Sequence, residues 1–248
     1  MPESIAVVTG AGSGIGRGCA LALAERGWTV VVTGRREEPL RKTAALAGER
    51  SGRIVPVVAD VADPQSVDAL FNSVATGFGR IDLLFNNAAD VMPATATEDV
   101  AAADWYRVLN SIATGTFLCS QAAYRMMKEQ SPRGGRIINN AAPSAQVPRP
   151  DSIAFTAAKH AVAGITRSLA LDGRQYDIAC GQIDIGNVTP EDRPQPPARQ
   201  ADRSMRVEPT MDMRHVTEMV VAMAALPVSV NIAHVTVMPS AMPYLGRG

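Results

Sequence analysis

Seven short apolar runs recur along the chain with amphipathic stretches between them, the pattern of a parallel sheet covered on both faces. The runs predict strands at 5–9, 29–33, 54–59, 81–86, 136–140, 178–185 and 234–238. The intervening stretches carry apolar positions at helical spacing and predict helices near 14–26, 37–49, 64–78, 102–128, 152–171 and 212–225. End signals agree with this division. Asp63 stands as an N-cap before Pro64 at a first helical position, and Gly27 follows the first helix as a stop. Strand and helix alternating over the whole length, joined by right-handed crossovers, give a three-layer, doubly wound α/β fold in a single domain, 1–248. The exception is 189–209, where Pro190, Pro194, Pro196, Pro197 and Pro209 lie among Arg193, Arg199, Arg203 and Arg206 with no apolar period. Such a segment in a compact domain is expected to be a mobile flap.

Composition narrows the function classes. A chain of 248 residues suits one large core, and 46% hydrophobic with 19% charged residues excludes a disordered or coiled-coil chain. Basic and acidic residues both number 24, so no net field holds nucleic acid or an anionic membrane, and small or neutral partners are expected. Cys19, Cys119 and Cys180 are far apart in apolar stretches, which suggests neither a disulfide framework nor a metal site. Met1-Pro2-Glu3-Ser4 runs directly into Ile5-Ala6-Val7-Val8 without a basic leader, and no apolar run nears the ~18 residues of a membrane span. The expectation is a soluble cytoplasmic protein.

The first strand turns into the first helix through Thr9-Gly10-Ala11-Gly12-Ser13-Gly14-Ile15-Gly16. Glycines there permit a tight turn and let backbone N–H groups at the helix N-terminus approach a diphosphate with no Cβ in the way. The spacing of Gly10, Gly14 and Gly16 resembles that of the short-chain dehydrogenase/reductase family, a Rossmann fold, and the resemblance extends over nearly the whole chain. It implies dinucleotide contacts from Ser13 and Ile15 in the turn, from Asp60 and Val61 after the third strand, and from Asn87 in Asn86-Asn87-Ala88-Ala89, where Ala89 replaces the family's glycine. Asp60 is equally readable as a strand-end cap. At the end of the second strand, Gly34 stands where an acidic residue would bind the ribose 2′-hydroxyl of NAD, and Arg35 and Arg36 follow. Two guanidinium groups beside a missing carboxylate favour a 2′-phosphate and hence NADP(H).

The family resemblance further implies a tyrosine and lysine four residues apart on one helix face, a serine thirteen residues before the tyrosine, and an asparagine seven residues after a helix tryptophan. In this chain those positions are Phe155, Lys159, Ala142 and, counting from Trp105, Ile112; Asn110 is shifted by two onto another face. Only the lysine is present. Loss of a positioned acid costs about 10²–10⁴ in rate and loss of an oxyanion donor about 10²–10³, so ordinary carbonyl reduction is expected to be almost absent. Ser144 is the first alternative proton donor, while Asp151 and Ser152 are read as caps or loop hydrogen-bonders. His160 points away from the Phe155 face, and His215 and His234 lie at element edges without forming a cluster.

Cys180-Gly181-Gln182-Ile183-Asp184-Ile185-Gly186-Asn187 stands where the family has Asn-x-x-Pro-Gly, making Ile185 a cofactor contact and Asn187 a substrate contact. Met92, Pro143, Val147, Pro148 and Phe155 would line an apolar substrate pocket, and are equally readable as core. Two functions follow. One is a nominal oxidoreductase with unconventional chemistry, such as a cyclisation or isomerisation, on an apolar small molecule. The other is a non-catalytic subunit or NADP(H) sensor paired with an active homologue. The resemblance also implies a homo-oligomer, dimer or tetramer, built on 102–128 and 152–171 with Val162, Ile165 and Leu169 on its contact face.

Overall fold

The chain's computed structural model describes residues 4–48, 53–190 and 194–244; the opening Met1–Glu3, the end of the helix expected to reach residue 49, and Arg193 of the flap lie outside them. The elements run β1 (Ile5–Thr9), α1 (Gly14–Glu25), β2 (Thr29–Gly34), α2 (Glu37–Ala47), β3 (Ile54–Val58), α3 (Pro64–Phe78), β4 (Leu83–Asn86), α4 (Ala102–Leu109), α5 (Gly115–Glu129), β5 (Gly135–Ala141), α6 (Ile153–Asp172), β6 (Ile178–Ile185), β7 (Ala198–Arg199), β8 (Met205–Arg206), α7 (Met213–Ala225) and β9 (His234–Val237). Seven strands form one parallel sheet in the order β3-β2-β1-β4-β5-β6-β9. The order reverses direction at β1, so the carboxyl ends of β1 and β4 open a crevice in which such sheets bind ligands.

Alternation along the strands divides the core. Ala6, Val8, Val30, Val32, Phe85, Ile138 and Ile183 pack on the face covered by α1 and α7, whereas Val7, Val31, Leu84, Ile137 and Cys180 pack under α3 and α5. Asp63 caps α3 by accepting the Gln65 N–H at 3.1 Å, ahead of Pro64. Gly27, at φ +84°, supplies the left-handed residue that ends α1. All three cysteines are buried free thiols pushed up to about 12 by burial, which leaves them unreactive.

Two expectations are corrected. The helix expected over 102–128 is α4 and α5 joined through a π-helical turn, Asn110–Thr114. The 189–209 segment is not irregular throughout: Ala198–Arg199 and Met205–Arg206 pair antiparallel as a hairpin. Among the described residues no helix is long and apolar enough to cross a membrane.

Candidate active site

A cavity of about 800 Å³ opens at the carboxyl ends of β1, β2, β4 and β5. Its floor is the glycine turn between β1 and α1. Gly10 adopts φ +65°, and a Cβ there would lie 2.8 Å from Ala88 Cα. Gly14 adopts φ +51°, with nothing within 4 Å of where its Cβ would stand. The turn is therefore closed behind and open in front. Its carbonyls are held back by side chains: Thr43 Oγ1 donates to the Ala11 carbonyl at 2.9 Å, Arg17 donates to that of Gly12, and Asn87 Nδ2 donates to that of Thr9 at 3.0 Å. Ser13, the N-cap of α1, makes no side-chain cap bond to the helix N-terminus, whose N–H groups and dipole favour an anion.

From this turn a polar line crosses the sheet ends. Thr9 Oγ1 accepts the N–H groups of Asn87 and Ala88 at 2.9 and 3.0 Å. Asn140 Nδ2 donates to Asn87 Oδ1 at 2.8 Å, and Lys159 Nζ donates to the Asn140 carbonyl, also at 2.8 Å. Lys159 is 4% exposed, and burial pushes its ammonium down to about 8 against the opposing pull of Asp184. Asp184 is fully buried on β6, accepting from Gln182 Nε2 at 2.6 Å and pairing with His234 Nε2 at 2.8 Å.

Beside Lys159 the wall becomes apolar. Phe155, one turn earlier on α6, and Ala142, just after β5, both line the cavity. Phe155 packs on a cluster of Val108, Ile112, Ala141, Ala145, Ala158 and Val162. The side-chain hydroxyls lining the cavity are Ser13 and Ser111. Ser13 belongs to the glycine turn, and Ser111 Oγ accepts the Asp90 N–H at 2.8 Å while donating to the Val108 carbonyl.

Residues 4–196 match the family model for short chain dehydrogenases. The chain belongs to that family. A 3beta-hydroxysteroid dehydrogenase of Mediterraneibacter gnavus is 34% identical over 189 residues, 76% of this chain and 67% of that protein. An acetoin dehydrogenase structure from Enterobacter cloacae superposes with a TM-score of 0.82 at 29% identity, covering 96% of this chain and 94% of the other. A metagenomic short-chain oxidoreductase solved in complex with NADP gives 0.81 at 25% identity, covering 96% and 97%.

Within this short chain dehydrogenase fold, the cavity brings together Gly10, Ser13, Gly14, Ile15, Arg35, Arg36, Asp60, Val61, Asn87, Ala142, Phe155, Lys159 and Ile185. Gly16 stands behind the turn, where a Cβ would collide with the Gly10 carbonyl. Asp60 serves both readings: it lines the cavity, and its Oδ1 accepts the Ala62 N–H at 2.9 Å. Ile112 does not reach the cavity; it is 1% exposed inside the apolar cluster of the π turn. Ser144 is buried in the turn Pro143–Ala145 and does not line the cavity, so the structure does not bring the expected substitute donor to the site.

Met92, Pro143 and Val147 also stand outside the lining; Met92 packs against the Phe155 cluster and Pro143 is buried. Asn187 is engaged elsewhere, with its Nδ2 donating to Glu208 at 2.8 Å and its Oδ1 accepting from Arg149 at 3.1 Å. Asp151 sits at φ +56° in an ion pair with Arg199 at 2.7 Å, and Ser152 Oγ donates to the Arg149 carbonyl. His234, read as an unclustered edge residue, is the partner of Asp184. Asn140, Asp90 and Arg107 also line the cavity, though no sequence motif marks them. A carboxylate inside the wholly buried run 178–185 was the available signal for Asp184.

The residues present fit a dinucleotide. Among the described residues, nothing lies within 4 Å of where a Gly14 Cβ would stand, Ser13 makes no side-chain cap bond to α1, and Asn140 Oδ1 is buried at the cavity wall with no hydrogen-bond partner.

Proposed function

We propose that this chain is an NADP(H)-binding short chain dehydrogenase whose site does not perform standard carbonyl reduction. The glycine turn and the α1 N-terminus would hold the diphosphate, Arg35 and Arg36 the 2′-phosphate, Asp60 and Val61 the adenine, and Lys159 with Asn140 the second ribose. When bound, the nicotinamide supplies or accepts hydride. The chain's own residues would orient that group against the wall of Phe155 and Ala142.

One observation carries the reading: the wall beside Lys159 is Phe155 and Ala142, and among the described residues no hydroxyl stands there to give a proton to a carbonyl oxygen. Chemistry that suits this wall needs no protein acid at that point, such as cyclisation or isomerisation of an apolar small molecule. A second reading, a non-catalytic subunit pairing with an active homologue, rests on the same apolar replacements. The three buried thiols suit a reducing cytoplasm. Exposed Tyr106, Phe117 and Leu171 on α4, α5 and α6 support a homo-oligomer on those helices. Val162 is not part of that face; it is buried in the apolar cluster with Val108, Ile112 and Ala145.

Calorimetry with NADPH and NADH tests the binding half, with tighter NADPH expected. Equal affinity, or none, overturns it. Incubation with apolar ketones and alcohols tests the chemical half, and ordinary turnover on such compounds overturns that.

A further inference from the structure

Arg35 and Arg36 are adjacent in sequence, yet the structure treats them differently. Arg36 makes no ion pair among the described residues. Arg35 Nη2 lies 3.3 Å from Asp90 Oδ2, while Asp90 Oδ1 accepts from Arg107 Nη1 at 2.6 Å. Arg107 is held in turn by Asp104 at 2.8 Å. Arg35 follows β2 and Asp90 follows β4, and these strands flank β1 on either side. At the usual spacing their ends stand about 10 Å apart, so the Arg35–Asp90 pair spans the cavity above the end of β1. Asp90 is held at both ends, its N–H by Ser111 Oγ and its carboxylate by Arg107.

We infer that Asp90 is a specificity-determining residue that holds Arg35 in reserve, releasing it to a ligand bearing a phosphate monoester at the adenosine 2′-position. The inference rests on the NADP(H) reading above. Arg35 is 63% exposed at its side chain and free to turn, and its departure leaves Asp90 still paired with Arg107, so no carboxylate is stranded. The carboxylate and the phosphate thus compete for one guanidinium. A ligand without the 2′-phosphate gives Arg35 no reason to leave, so the competition acts on one ligand class alone.

The experiment measures binding of adenosine 2′,5′-bisphosphate and adenosine 5′-monophosphate by calorimetry to the wild type, Asp90→Asn, Arg35→Ala and the double variant. Asp90→Asn is expected to tighten the bisphosphate about threefold, within the range of an exposed ion pair, and to leave the monophosphate unchanged. Arg35→Ala is expected to weaken the bisphosphate and to abolish the effect of the second substitution. A wild type with no preference for the bisphosphate overturns the NADP(H) reading and the inference with it. A wild type that prefers the bisphosphate while Asp90→Asn changes nothing overturns the inference alone. Weaker binding of both probes to Asp90→Asn also overturns it, since Asp90 would then contact the adenosine directly. If Asp90→Asn fails to fold, Asp90→Ser is measured in its place with the same expectation, and a bisphosphate affinity unchanged from the wild type there overturns the inference.

Discussion

Lys159 holds its ammonium 5.5 Å from the centre of the Phe155 ring, one turn away on the same face of α6. The cation has an aromatic face, a backbone carbonyl and the field of Asp184 for company.

The ammonium itself gives a pH dependence. Its pKa falls from an ordinary 10.5 to about 8 because burial disfavours the charge. Between those values the unfolded chain keeps the proton that the folded chain has lost, so stability rises with pH across that window; below about 8 both states are protonated and the cost of burying the charge is full. Relative to Lys159→Met, the wild type should gain about 2 kcal/mol between roughly pH 7 and pH 9.5. Urea unfolding of both proteins over that range checks this, and parallel curves overturn it.

Gly14 offers a direct test of the cofactor floor. Its φ of +51° strains any residue with a Cβ, and the space ahead of it is where the diphosphate would lie. Gly14→Asp should abolish NADPH binding in calorimetry while leaving the circular dichroism spectrum of the wild type. Retained affinity places the nucleotide elsewhere.

Assembly is checked by light scattering. Phe117, Tyr124, Leu169 and Tyr176 line a groove along α5 and the end of α6, and Phe117 and Leu171 are largely exposed. A dimer or tetramer is expected at micromolar concentration, and Phe117→Glu should dissociate it. A wild-type monomer rejects this face as an interface.

What the chain's pattern disclosed, and what it hid, follows from range. Five-residue apolar runs such as Ile5–Thr9 mark buried parallel strands because both faces must be covered, and the glycine turn sits between two such signals. The π turn at Asn110–Thr114 escaped because one widened turn barely disturbs a 3.6-residue apolar period. The Ala198–Arg199 strand escaped because two residues carry no period at all. Pairs such as Arg35 with Asp90, or Arg149 with Glu208 at 2.5 Å, join segments more than fifty residues apart, and nothing in either segment names its partner. Ser144 was misplaced for a related reason: two residues from Ala142 in sequence, it is turned into the core by the tight turn at Pro143.

The last prediction concerns restoration of the proton donor. Phe155 and Ala142 both line the cavity, so a hydroxyl on either would enter it, whereas Ile112 is sealed in an apolar cluster. The wild type should therefore turn over simple ketones negligibly, and Phe155→Tyr with Ala142→Ser should raise that rate by about 10² or more, since a positioned acid and an oxyanion donor are each worth about that much. The two should act as a unit, with single changes recovering far less than their combination. Ile112→Asn should add little to the rate and lower the melting temperature, because its amide would replace a side chain that is 1% exposed among Val108, Ala141 and Ala158. Steady-state kinetics on a ketone panel, with thermal melts of each variant, separates these effects. Ordinary wild-type turnover, or a double variant that binds NADPH yet gains nothing, shows that the wall formed by Phe155 and Ala142 is not where a carbonyl oxygen would stand.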